Sequence, residues 1–222
     1  MKKVLILIIS FSLAITACSY DDNISPWKDG KVPFYLTGDF SDEDREVLYE
    51  AMETWESAAN VRFIEVTADE GAYEIIRINN TKSWASSIGE NNTYKYMYFG
   101  EDRNKLGHLL HELGHCLGLT HEHQRPDRNK FIKINWEHIQ SSFEHNFKII
   151  DNPLISEEDY KYDCNSIMHY NVMGFSNDGE KTIQPKSGGC GEDSNMGQRD
   201  YLSYSDIKKI QSIYGRPKNN IK

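Results

Sequence analysis

Basic charge is what this sequence is short of: 25 lysines and arginines face 34 aspartates and glutamates, for a net charge of −9. A phosphate backbone is bound through a basic footprint, so a nucleic-acid partner is excluded. Long apolar runs are missing too. The one that comes nearest, Val4 to Ile15, falls short of the roughly 20 residues a helix needs to span a bilayer. Any hold on a membrane must then come from an N-terminal lipid anchor. No internal repeat or low-complexity tract interrupts the chain, which sets aside solenoid architectures. Cysteine is rare, four in 222 residues, so disulfides can only supplement a hydrophobic core. With 38% apolar and 12% aromatic residues, there is material for that core, in one large domain or two small lobes.

Residues 1–17 read as an export signal. Lys2 and Lys3 make a basic head, Val4 to Ile15 an apolar stretch, and Ile15-Thr16-Ala17 a small-residue approach to Cys18. The arrangement resembles a bacterial lipoprotein signal, with Cys18 lipidated and first in the mature chain. A plain secretory signal cut nearby is the alternative. The protein is expected to be exported as a monomer, to the outer membrane or cell surface as a lipoprotein, otherwise secreted. Residues 18–26 form an N-terminal segment or a short propeptide. An oxidising compartment allows cysteines to pair. With Cys18 assigned to lipid and Cys116 inside an apolar helical stretch, Cys164 and Cys190 remain as the expected disulfide.

Residues 31–36 alternate as a strand, with Pro33 favouring an edge or a strand start. Ser41 then precedes Asp42-Glu43-Asp44, a cap and acidic first turn for an amphipathic helix running to about Ala59. Strand-like runs follow at 61–66, 74–78, 83–87 and 94–99. The fold class expected is α+β with two lobes. The first lobe is a twisted mixed sheet with two helices. The second is largely irregular, with a helix near 136–147, an irregular passage over 148–202, and a last helix over 205–214. Ser203 or Ser205 could cap that helix, Gly215 and Pro217 stop it, and 217–222 form a loose tail.

The chemistry is concentrated in His111-Glu112-Leu113-Gly114-His115-Cys116-Leu117-Gly118-Leu119-Thr120-His121. Apolar residues at 106, 109, 110, 113 and 117 suit a helix. His111 and His115, four apart, then present both imidazoles on one face. Glu112 is rotated about 100° from His111, beside a metal rather than on it, where a general base belongs. On a continuing helix His121 would lie about 15 Å from His111. Gly118 resolves this, because glycine adopts positive φ without penalty and ends helices, so the chain can turn back. His111, His115 and His121 are therefore the expected ligands of one Zn2+, and the metzincin pattern H-E-x-x-H-x-x-G-x-x-H is met in full. A binding module without catalysis would have lost one of these residues, and a structural zinc site would add a fourth strong ligand.

Downstream, Ser166-Ile167-Met168-His169-Tyr170 supplies the Met-turn of that pattern. This turn, Glu122 after His121, and Arg125-Pro126-Asp127-Arg128 resemble the astacin family of zinc metalloendopeptidases. The likeness continues through Trp27 to Tyr35 and through Gly197-Gln198-Arg199 to Ile207, so that residues 27–216 form the expected catalytic domain. The family's usual second disulfide is missing, Asn60 and Ser83 standing at such positions. The resemblance implies hydrolysis of a peptide or protein substrate, Tyr170 as a further zinc ligand that can swing to stabilise an oxyanion, and Met168 as a packing platform below the metal. It also implies substrate bound along an edge strand at Trp84, Ala85 and Ser86, with Arg199 placed to read an acidic side chain. Glu122 would face a mature N-terminal ammonium in that family. An acylated Cys18 could not provide one, so another partner is expected: Arg125, Arg128 or water. Alternatively, the protein is made latent, with Cys18, Asp21 or Asp22 blocking the zinc.

Overall fold

Two apolar cores organise the fold of this chain, seen in a computed structural model that describes residues 24–218 apart from 69–70, 79–80, 82–83, 91–94, 103–104, 157–158 and 192–193. The export signal, Cys18, Asp21, Asp22 and Ser83 lie outside the described residues. The first core sits between a five-stranded sheet and two helices. Strands β1 (Lys31–Thr37), β2 (Arg62–Glu65), β3 (Tyr73–Arg77), β4 (Ala85–Ser86) and β5 (Tyr96–Phe99) lie in the order β2-β1-β3-β5-β4. All neighbours are parallel except β4 and β5. β4 is the last strand of the sheet, as expected of residues 84–87. Pro33 is not on an edge strand: β1 lies between β2 and β3. The proline is accommodated because β3 pairs only from Phe34 onward, leaving residues 31–33 flanked by β2 alone.

Helix α1 (Asp42–Ala58) starts in a reciprocal capping box, Ser41 Oγ accepting from the Asp44 N–H at 3.1 Å. Leu48, Ala51, Met52 and Trp55 form its buried stripe. Helix α2 (Lys105–Cys116) packs across it, and the Trp55 indole donates to the Leu110 carbonyl at 3.1 Å. A buried ion cluster sets where these helices begin. Asp44 accepts from Arg77 Nε at 2.9 Å and from Lys105 Nζ at 2.7 Å, and Arg77 also donates to Glu101 at 3.0 Å. One carboxylate thus joins the end of β3 to the first turns of α1 and α2.

The second core holds Ile132, Ile134, Ile139, Phe147, Tyr162, Ile183, Cys190 and Met196. A small antiparallel ribbon, β6 (Ile132–Ile134) with β7 (Ile183–Pro185), runs through it. The β7 half falls inside the stretch expected to be irregular. Cys164 and Cys190 are bonded, with Cα atoms 5.6 Å apart. The helix expected near 136–147 is instead two 3-10 turns, Trp136–His138 and Ser141–Phe147. Between them Ile139 is extended and bridges Ser176 while its side chain enters the second core. That burial needs an extended residue where a helix would continue. Helix α3 (Tyr204–Tyr214) starts at a Ser203–Asp206 capping box and ends at Gly215, where φ is 85°. Its Ile210 belongs to the first core with Ile167 and Met168. No helix among the described residues is long and apolar enough to cross a membrane.

Burial alone would raise the Asp44 pKa, but the Lys105 and Arg77 donors outweigh it and hold the carboxyl at about 2. A folded pKa below the unfolded one stabilises fully above about pH 4 and is lost as pH falls through about 2. Asp44→Asn is expected to lower unfolding free energy by about 2 kcal/mol at pH 7, and the gap to wild type should narrow steadily below pH 4. Denaturant titrations from pH 7 to pH 3 check this; a constant gap would refute the ionic account.

Candidate metal centre

Helix α2 carries His111 and His115 with Glu112, all three buried. The helix then ends in a Schellman turn: the Gly118 N–H donates to the His115 carbonyl at 2.8 Å and the Leu119 N–H to the Gly114 carbonyl at 3.0 Å. Gly118 takes φ +103°, and a Cβ there would lie 2.8 Å from Leu154 Cδ1. The reversal returns His121 to the helix face, its ring centroid 4.4 Å from that of His115 and 5.2 Å from that of His111. One ligand atom from each of the three rings lies within 4.8 Å of the others.

Each ring is oriented from behind by an oxygen. His111 Nδ1 meets the Ile167 carbonyl at 2.7 Å, His115 Nδ1 the Leu119 carbonyl at 2.7 Å, and His121 Nδ1 the Gln124 amide oxygen at 2.9 Å. Carbonyl oxygens only accept, so the proton of each ring sits on Nδ1 and the Nε2 lone pair faces the others. Gln124 is held in that sense because its NH2 donates to the Asn146 carbonyl at 2.9 Å. Burial, ahead of the Arg199 charge, keeps His111 well below its usual pKa; burial also brings His115 to about 4. The imidazoles are therefore neutral. His115 Nε2 and His121 Nε2 stand 3.1 Å apart with no proton to share. Two lone pairs at that distance repel, and a cation between them removes the repulsion. Three neutral nitrogen donors, with a buried carboxylate on the same helix and no thiolate among the described residues joining them, fit zinc with an open position. Burial pushes Glu112 up to about 8, with Arg199 pulling the other way.

The Met-turn segment joins the two cores. Met168 is buried in the first core, and its Sδ lies 2.6 Å from where a Cβ on Gly114 would stand. The thioether thus packs on α2 beside His115. Tyr170, two residues on, belongs to the edge of the second core. Its ring lies 4.4 Å from the His121 ring and stacks on His123 at 4.1 Å.

Residues 19–215 match the peptidase family described as astacin. The chain belongs to the astacin family. It is similar to the zinc metalloproteinase nas-14 of Caenorhabditis elegans, 31% identical over 205 residues, which are 92% of this chain and 40% of that protein. It is similar also to bone morphogenetic protein 1 of Xenopus laevis, 35% identical over 193 residues, 86% of this chain and 27% of that one. The chain therefore spans less than half the length of either relative. Among solved structures it is similar to high choriolytic enzyme 1, a hatching enzyme zinc-protease of Oryzias latipes, with a TM-score of 0.72 and 26% identity, covering 87% of this chain and 94% of that one. Myroilysin shares the fold, with a TM-score of 0.64 at 20% identity over 86% of this chain and 96% of that one. The α+β fold is that of the astacin structures, and His111, His115 and His121 are the residues that would hold the zinc of such a protein.

Other expected residues are distributed unevenly around this astacin centre. Trp84 stacks on His108 with centroids 5.1 Å apart, and Ala85 is half-buried in β4. The Ser86 side chain turns inward, its Oγ 2.5 Å from the Tyr73 hydroxyl, so only its main chain can face a substrate. Arg199 lies beside the site, but its Nη1 donates to the Ile167, His169 and Gln198 carbonyls. Through Nη1 it frames the Met-turn, and its charge acts on Glu112. His169 is buried, Nε2 against the Tyr162 hydroxyl at 2.7 Å, and is not one of the converging histidines. Glu122 pairs with Arg125 at 3.1 Å but not with Arg128, whose Nη1 goes to the His123 and Phe147 carbonyls. A further partner, Lys209 on α3, was not anticipated. Nothing local marks a lysine 87 residues away. Gln124 was also missed, although a hydrogen-bonding side chain three residues after the last ligand is a usable signal.

Gly118→Ala forces an L-residue into positive φ against Leu154. It is expected to cost at least about 1–2 kcal/mol and, by displacing the Leu119 carbonyl and His121, to weaken zinc binding about 10-fold or more. Competition with a zinc indicator, alongside denaturant unfolding, checks both; unchanged affinity would show that the turn does not set the triad.

Proposed function

We propose that this chain is a zinc-dependent endopeptidase that hydrolyses peptide bonds of extracellular proteins. The single observation that carries the proposal is the convergence of three proton-free Nε2 atoms at the helix that also carries the buried Glu112. His111, His115 and His121 would hold the zinc, which when bound would supply a Lewis acid able to acidify water and polarise a carbonyl. Glu112 takes the proton of the attacking water and returns it to the departing amine. The high pKa that burial gives Glu112 suits the second half of that task, and a bound cation would pull it toward the first. Tyr170, beside His121, serves as an additional ligand or oxyanion donor from its position at the margin of the second core.

The substrate is an extended peptide added to β4, the terminal strand next to α2. Ala85 and Ser86 contribute their main chain, with Trp84 forming a wall above His108. Arg199 contributes through its charge and by framing the Met-turn. The N-terminal sequence supports export, with Cys18 as a lipid attachment point, and the protein acts as a single copy in this reading.

A mixed peptide library incubated with protein beginning at Ser19 is expected to be cut at internal bonds. Glu112→Ala should lower kcat/KM by about 10²–10⁴-fold with zinc retained, and a chelator should abolish cleavage until zinc is restored. Proteins beginning at Cys18 and at Trp27 complete the series: cleavage only from the shorter one would establish latency. An intact library from all three zinc-loaded proteins refutes the endopeptidase reading.

A further inference from the structure

Lys209 is a buried lysine on α3 with no place in the proposed chemistry, 4% exposed. Its ammonium is in contact with Glu122 Oε2. The other oxygen of that carboxylate accepts from Arg125 Nη1 at 3.1 Å and from the Asp163 N–H at 2.8 Å. Arg125 in turn is paired with Asp127 at 2.9 Å. Two cations and two anions balance in the cluster, which makes its burial tolerable. Glu122 is the residue next to His121, and its own N–H donates to the Met168 carbonyl at 3.1 Å. A contact that fixes Glu122 therefore fixes the third ligand and the Met-turn together.

One helical turn before Lys209, on the same face of α3, Asp206 reaches the opposite end of the Met-turn. Its carboxylate accepts from Ser166 Oγ at 2.6 Å and from the Ile167 N–H at 2.9 Å. The Ile167 carbonyl is the group that orients His111. Two side chains of one helix face thus stand behind two of the three ligands, one through Ile167 and one through Glu122.

We propose that Lys209 is a positioning residue of the metal centre: through Glu122 it braces His121 against α3, as Asp206 braces His111 through Ile167. The C-terminal helix, which contributes no ligand, thereby sets zinc affinity. The inference rests on the zinc reading of the histidines and not on peptidase activity.

The test measures zinc dissociation by indicator competition, the electronic spectrum of the cobalt-substituted protein, and the thermal midpoint. Lys209→Met should weaken zinc binding about 10- to 100-fold and alter the cobalt spectrum, and Lys209→Arg, which keeps the charge, should recover most of both. Glu122→Gln with Lys209→Met removes both charges of the pair, so Glu122 is not left as an unpaired buried anion even if Lys209→Met alone does not fold, and Asp206 keeps its Ser166, Ile167 and Ser203 donors. That double variant should fold and still bind zinc about 10-fold or more weakly. Wild-type zinc affinity and cobalt spectrum in the double variant, or in Lys209→Met with only the thermal midpoint lowered, would overturn the proposal and leave Lys209 a packing role. Wild-type protein that binds no zinc would overturn the zinc reading itself, a separate and recognisable result.

Discussion

Three imidazole lone pairs pointed at one another repel, and a chain left to itself would turn them apart. What prevents this is a set of three hydrogen bonds on the far side of the rings, from the Nδ1–H groups of His111, His115 and His121 to Ile167, Leu119 and Gln124. Each bond fixes a tautomer and a ring angle at once, so the Nε2 atoms are presented as ligands before any ion arrives. The rest of the structure is arranged to keep those three oxygens in place.

The oxygens come from different distances along the chain, and the fold uses a different device for each. The Leu119 carbonyl follows from the turn at Gly118, a local matter of positive φ and two reversed backbone hydrogen bonds. Gln124 is local in sequence too, but its orientation is decided by the Asn146 carbonyl. Ile167 is 56 residues from His111 and is brought there by the Met-turn, which Asp206 holds at its start and Met168 seats against Gly114. Behind the sheet, the Asp44 cluster performs the equivalent task for α2, whose first residue, Lys105, it anchors.

Burial of charge recurs at each of these joints. Asp44 with Arg77 and Lys105, and Glu122 with Lys209 and Arg125, are low-pKa carboxylates surrounded by cations, all but the local Arg125 brought from other elements. For Glu122, burial by itself would raise the pKa, and Lys209 followed by Arg125 reverses it. Such clusters add little net stability over apolar packing, but an element shifted out of register orphans a buried charge, so they penalise misplacement heavily. They sit at the starts of α1 and α2 and behind His121, where misplacement would spoil the centre.

The ligand spacing, the helix stop and the first capping box were legible in the sequence because each depends on nearest neighbours: a 3.6-residue period for His111 and His115, a residue without Cβ at Gly118, an acidic first turn after Ser41. The Met-turn was read from its resemblance to a family pattern. The Cys164–Cys190 pair followed by elimination from a short count. The helix expected near 136–147 was not realised, since Ile139 is drawn out straight into the second core by contacts with Ile183 and its neighbours. The direction of Ser86, the engagement of Arg199 and the role of Lys209 were illegible for the same reason. They depend on which distant group lies opposite, and a side chain's own identity says nothing about that. The sequence by itself determined which atoms could bind the metal, since donor chemistry and turn geometry are properties of short segments. Only the tertiary structure decided how those atoms are aimed and held, because the oxygens and counter-ions behind them arrive from tens of residues away.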